Sequence, residues 1–294
     1  QGTYVPEIFL VTPKLQQMYT VGTDVRIGKS GKLSAEVAMS NTDLNTFSKK
    51  DDKDNLGFAA HVNYKGSVLT KSDSTSKQDK NQHFTYEVNY EFLQNRFNTI
   101  ERFRDVEFSR DWNLGTQTQQ YNQHLVQADR CYVGGGLGNL TYHFKSFIQD
   151  SVYHGFENGL NGNFSKKGFN LIFTSSYLNS SSLINSTNYI RPKADFYYSS
   201  AKTKGWNIGA SFDYEINMFK NKGSDTLTSA RYLWQNYTAY ITTADTAKNK
   251  FRIEYVTRYE QRPQGNNFAS PDFMAHTVNL TGQVNTVKNQ SLNY

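Results

Sequence analysis

The chain lacks most of what builds a soluble enzyme. It has a single cysteine, Cys131, so neither an internal disulfide nor a cysteine-based metal cluster is available. No apolar run approaches the ~18 residues of a membrane-crossing helix. Hydrophobic residues make up only 37 % of the 294 positions, and mean hydropathy is negative. A soluble domain of this length would draw a larger core from Leu, Ile and Val. Charge of one sign is never gathered into blocks: 32 Lys and Arg are interspersed with 26 Asp and Glu, for a net +6. Without a basic stripe to follow a phosphate backbone, nucleic acid is excluded as a partner. Gln1-Gly2-Thr3-Tyr4 opens in polar sequence and does not read as a leader, which fits either numbering that starts after processing or an excised piece. Ser291-Leu292-Asn293-Tyr294 reads as the opening of a further strand, and no strand ending in Phe closes the chain. The expectation is a piece cut at both ends.

What is present in excess is aromatic: 15 % of residues, with 20 Tyr and 20 Phe. They fall in a period of two. In 84–92, Phe84, Tyr86, Val88, Tyr90 and Phe92 alternate with Thr85, Glu87, Asn89 and Glu91. In 206–218, Trp206, Ile208, Ala210, Phe212, Tyr214, Ile216 and Met218 alternate with polar residues or glycine. Side chains of a strand point to opposite faces in turn, so each segment has one apolar and one polar face. The pattern recurs in about thirteen to fourteen segments of roughly eleven to fifteen residues. Eleven residues tilted by about 40° cross roughly 27 Å, near the height of the apolar band of a bacterial barrel. A sandwich strand has about half that length. The fold expected is therefore all-β: an antiparallel transmembrane β-barrel, one domain over 1–294 and part of a larger barrel. Phe84, Tyr86, Val88, Tyr90, Phe92, Ile208, Phe212 and Tyr214 are the lipid-facing candidates. Cys131 is expected on the same face, in phase with Val133.

Strands are expected near 17–28, then at Leu33–Met39, Leu56–Tyr64 and Phe84–Phe92, and so on to Met274–Val284. Tight turns such as 28–31 and 165–168 contrast with longer loops at 43–55, 70–82 and 220–229. Long loops after every second strand are the outer-membrane habit. Tyr153, Tyr189, Tyr197, Tyr198, Trp206 and Trp234, near expected strand ends, are candidates for interfacial aromatic belts.

One segment breaks the pattern. Residues 96–113 hold Arg96, Glu101, Arg102, Arg104, Asp105, Glu107, Arg110 and Asp111. Mixed charge at this density suits an inward-folded loop, a lumen constriction or plug held by Arg–carboxylate pairs. The plain alternative is an ordinary extracellular loop or a strand extended beyond the membrane.

Other motifs carry little. Asp51, Asp52, Asp54 and Asn55 lack the glycine and terminal Glu of a calcium loop. His61, His83, His124, His143, His154 and His276 have no metal-site spacing, and His61 and His143 should face the lumen. Gly134-Gly135-Gly136 has no Lys-Ser/Thr after it and is not a phosphate loop. No catalytic residue, cofactor or metal ligand is assigned.

The strands, rich in Tyr, Asn and Lys, the Ser/Thr/Asp/Asn turns and the segment Arg102–Asn113 resemble the outer-membrane barrel proteins of Bacteroidota. The resemblance covers 17–294. It implies a barrel region following a long exported N-terminal part, and it brings no catalytic residues. The expected role is a channel, an uptake or export pore, or an anchor for an exported domain. Its partners would be outer-membrane lipid and other outer-membrane or exported proteins. The competing expectation is a soluble extracellular or periplasmic large-sheet protein that binds glycans or proteins through its aromatic residues.

Overall fold

The computed structural model describes residues 11–50, 52–71, 82–114, 120–134, 136–199, 205–224, 226–228, 231–244, 247–264, 267–268, 273–285 and 291–293. They form an all-β, antiparallel fold in which thirteen long strands make one sheet. These are β1 (Leu15–Ile27), β2 (Gly31–Asp43), β3 (Leu56–Lys71), β4 (Gln82–Leu93), β5 (Gln123–Gly134), β6 (Gly138–Gln149), β7 (Tyr153–Lys166), β8 (Phe169–Ser182), β9 (Asn185–Ser199) and β10 (Trp206–Asn221). The two-residue β11 (Thr226–Leu227) pairs beside β10, and β12 (Tyr232–Thr243) and β13 (Lys250–Gln261) follow. A separate small hairpin joins β14 (Pro263–Gln264) to β15 (Asn267–Phe268). The sheet then ends with β16 (Phe273–Asn285) and the short β17 (Ser291–Asn293). The only α-helix among the described residues is α1 (Phe108–Asp111). Each long strand pairs with its neighbours in sequence, and the sheet is not closed.

Register slides steadily across the sheet. The line of opposed residues Val68, Phe84, Tyr132, Leu140, Gly162, Phe173, Ala194, Phe212, Tyr237, Thr257 and His276 runs straight across the ladder. It starts beside one end of β3 and finishes beside the opposite end of β16. The slip is somewhat under one residue per strand, a tilt of about 30° at ~3.3 Å rise and ~4.8 Å spacing. Barrel strands carry this kind of stagger.

Burial is inverted relative to a soluble sheet. Apolar residues stand bare: Ile208 is 56 % exposed, Val278 65 % and Leu280 69 %. On the opposite face Glu157 is 5 % exposed and Glu215 7 %. Among the described residues, a cluster of buried apolar side chains also lies on the polar face: Trp112, Leu125, Phe147, Tyr153, Leu178 and Tyr189. All eight lipid-facing candidates share the apolar face by register, and Val88, Tyr90, Ile208 and Phe212 are the most exposed of the eight.

The structure corrects several expectations. Cys131 opposes Thr85 and Thr141, so it and Val133 stand on the polar face; Val126, Ala128, Arg130 and Tyr132 take the apolar one. The phase of β5 is ambiguous in sequence because Leu125 serves the buried cluster on the polar side. Arg130 rests its guanidinium 4.7 Å over the Phe84 ring, a cation–π contact that suits a charge on an apolar face. Of the six belt candidates, only Tyr198 and Trp206 are on the apolar face. Tyr153, Tyr189, Tyr197 and Trp234 turn to the polar side, where Tyr153 and Tyr189 are fully buried. Long connections do not follow strictly every second strand. Those at 44–55, 94–122, 222–231 and 262–272 share one rim, the near rim. The connection 72–81 lies outside the described residues, but it joins its strands at the far rim with the short turns. Asp52–Asp54 form a 3-10 turn, and Asp51 and Gly135 lie outside the described residues.

Candidate functional site: a segment laid across the polar face

Between β4 and β5 the chain leaves the near rim and crosses the polar face. Its backbone lies directly on Gly57 of β3, where an added Cβ would sit 2.3 Å from the backbone at Arg96 and Phe97. Glycine is needed there because two backbones approach closely. The Asn98 N–H donates to Ser40 Oγ of β2 at 3.0 Å, and Gln16 of β1 donates to the Thr99 carbonyl at 3.0 Å. Further along, Arg104 forms an ion pair with Glu91 of β4 and stacks 4.4 Å over Phe108. Burial pushes the Arg104 guanidinium below its ordinary pKa, and the Glu91 charge opposes that shift.

α1 then carries Trp112 into the wall. Its ring packs on Phe147 of β6 at 5.4 Å, and the Tyr153 hydroxyl of β7 donates to the Trp112 carbonyl. Gly155 leaves room for this ring: an added Cβ would lie 3.0 Å from it. Asp111 pairs with Arg191 of β9, which also reaches Glu157 of β7 at 3.0 Å. Glu157 in turn holds Lys145 of β6 at 3.0 Å. Asn113 and Asn217 of β10 exchange side-chain amide bonds of 3.1 and 3.3 Å. Beyond them Tyr189 and Tyr232 both bond Glu215.

A helix of four residues with its flanks thus reaches strands from β4 to β10. A flat sheet would spread those strands over roughly 29 Å, while α1 itself is about 6 Å long. The sheet must therefore curl around the segment with its polar face inward. The alternating strand residues that supply wall partners follow from that curl.

Of the eight charged candidates in this segment, Arg104 and Asp111 bind the wall. Arg110 pairs within the segment, with Glu107 at 3.1 Å. Arg102 donates to the carbonyls of Arg104, Asp105 and Val106, bracing the turn before α1. Arg96 donates to the Lys53 carbonyl in the neighbouring loop. Glu101 and Asp105 are exposed. Beneath Arg104 lies a cavity of about 340 Å³, lined among others by His61, Asn89, Asp105 and Gln127. His61 and His143 both stand on the polar face. Trp112, the principal anchor, carries no charge and was missed by a search for charge density; an aromatic followed by a polar turn was its only signal. Among the described residues no three His, Cys, Asp or Glu side chains converge as a metal site. The arrangement offers positioning and electrostatics, and its ion pairs are mutual. Compared with known protein families, with curated proteins and with solved structures, the chain matches none.

Proposed function

We propose that this chain forms the wall of a transmembrane β-barrel in a bacterial outer membrane, with segment 94–114 narrowing its lumen. It acts as a passage (a channel, an uptake or export pore) or as an anchor for an exported domain, without chemistry of its own. The observation that carries the reading is the inverted burial. An apolar face bare on twelve of the thirteen long strands far exceeds the few hundred Å² of contiguous apolar patch that a soluble monomer exposes. In hydrocarbon the same face is satisfied.

Two further features support it. The register stagger fits tilted barrel strands. The polar face is occupied by a charged, wall-bound segment, as at a constriction. A barrel also requires the free edges of the sheet to be paired, with each other or through further strands.

Fractionation of the full-length protein tests this. Recovery from the outer-membrane fraction, with detergent-dependent folding and heat-modifiable migration, is the expected result. A detergent-free soluble monomer with β-type circular dichroism overturns the proposal and makes the aromatic face a ligand surface instead.

A further inference from the structure

The cavity beneath Arg104 forms where three parts of the chain meet on the polar face. β3 supplies His61, β5 supplies Gln127, and the crossing segment supplies Phe103 and Asp105. Register sets the wall side: His61 opposes Glu91, and Asn89 opposes Gln127. At about 340 Å³ the space falls within the range of small-molecule sites. Arg104 itself is already engaged. It pairs with Glu91, reaches Gln123 Oε1 at 3.4 Å, and stacks 4.8 Å over Phe103 and 4.4 Å over Phe108. Its charge is therefore cancelled within the wall.

Other groups around the cavity are not engaged. Asp105 uses its backbone carbonyl, which accepts from Arg102 and from the Phe108 N–H. Among the described residues its carboxylate has no ion pair, and the side chains of His61 and Gln127 have no hydrogen-bond partner. Two residues further toward the far rim, Glu87 stands directly opposite Asp129. Like charges so opposed destabilise a sheet. Lys65 neutralises Glu87 at 2.8 Å. Asp129 has no ion pair among the described residues, and its other neighbour, His143, lies 3.9 Å from Glu157. The cavity thus has an uncompensated carboxylate at its roof and another just beyond its floor. A solute anion is repelled there, and a cation is concentrated. Phe103 is 50 % exposed and already carries one guanidinium, so its remaining surface offers a second cation a ring. The Gln127 amide oxygen and the imidazole of His61 accept N–H donors.

We infer that this cavity is a binding site for an organic cation, the ammonium or guanidinium group of a solute in passage. Asp105 supplies the ion pair, Phe103 the ring, and His61 and Gln127 the hydrogen bonds from the wall. The inference names a solute class for the passage proposed above and rests on that reading.

The test uses the full chain folded in detergent, with heat-modifiable migration checked first. Binding of L-lysinamide, L-glutamate and maltose is then measured by isothermal titration calorimetry. Lysinamide is expected to bind about tenfold more tightly than either of the others, since charge complementarity favours it and like charge disfavours glutamate. Asp105→Asn should weaken lysinamide about fivefold, the effect of losing a partly exposed ion pair. Gln127→Leu should weaken it less. Asp213→Asn, on β10 and paired with Lys193 at 2.9 Å, should leave it unchanged. Equal binding of the three probes, binding of none, a preference for glutamate or maltose, or an Asp105→Asn variant that holds lysinamide as well as the wild type overturns the cation site and leaves the barrel in place. Loss of heat-modifiable migration in the wild type overturns the barrel reading and this inference with it.

Discussion

The two faces of this sheet use their residues in opposite ways. The apolar face is broad, bare and nearly free of contacts beyond its own strand neighbours. The polar face holds the buried cluster, the ion pairs and the crossing segment. In a soluble sheet the apolar face makes the core and the polar face meets water. On the barrel reading proposed above, hydrophobic burial is supplied by a medium outside the protein. Among the described residues, the main internal apolar cluster is the small group around Trp112.

The largest expected effect concerns that group. Trp112→Ala removes an aromatic ring from a packed site, a loss of about 3–5 kcal/mol. We expect segment 94–114 to detach while the strands stay assembled, seen as new proteolytic cleavage there in the folded protein. Unchanged protection would mean that the ring does not hold the segment.

Next comes the contrast between faces. Phe212→Arg and Tyr90→Arg, mid-strand on the apolar side, should each cost about 2–4 kcal/mol at the bilayer midplane. Ser211→Arg, beside them on the polar side, should be tolerated. A membrane-assembly assay in which all three behave alike would erase the comparison.

Gly57→Ala should displace the start of the segment, since its Cβ would meet backbone at 2.3 Å. Overpacking of this kind costs about 1–3 kcal/mol. Faster hydrogen exchange at Phe97 and Asn98 is the expected reading; native protection would show that the close approach relaxes freely. Asp111→Asn should have a milder effect, about 1 kcal/mol, because its carboxylate is partly open to water and screened. The check is the proteolysis used for Trp112, with weaker new cleavage expected.

The smallest perturbation sharpens the face assignment of β5. Cys131 should react with a charged, water-borne thiol reagent in the membrane-inserted protein. Ala128→Cys, in a Cys131→Ser background, should react only with an apolar one. The reverse pattern would return Cys131 to the lipid side.

Much of this architecture was legible because alternation is written in neighbouring residues. The face of β10 follows from Ile208, Phe212 and Tyr214 alone. The strand Gln123–Gly134 was misread because apolar residues occur on both of its faces, Leu125 and Val133 on one, Val126 and Tyr132 on the other. Tyr153 and Tyr189 were mistaken for belt residues for a related reason: an aromatic near a strand end looks the same whether it meets lipid or a crossing segment.

The sequence by itself determined that the chain is a series of long, two-faced antiparallel strands, and which residues of most of them make the apolar face. Each such choice depends on a period of two within a dozen residues. Tertiary structure alone decided that residues 94–114 turn inward, and that Trp112 seats on Phe147 and Asp111 on Arg191. Those meetings depend on how registers of strands far apart in the chain add up across the sheet. Each one-residue slip moves a side chain to the other face or past its partner, so no local pattern could reveal them.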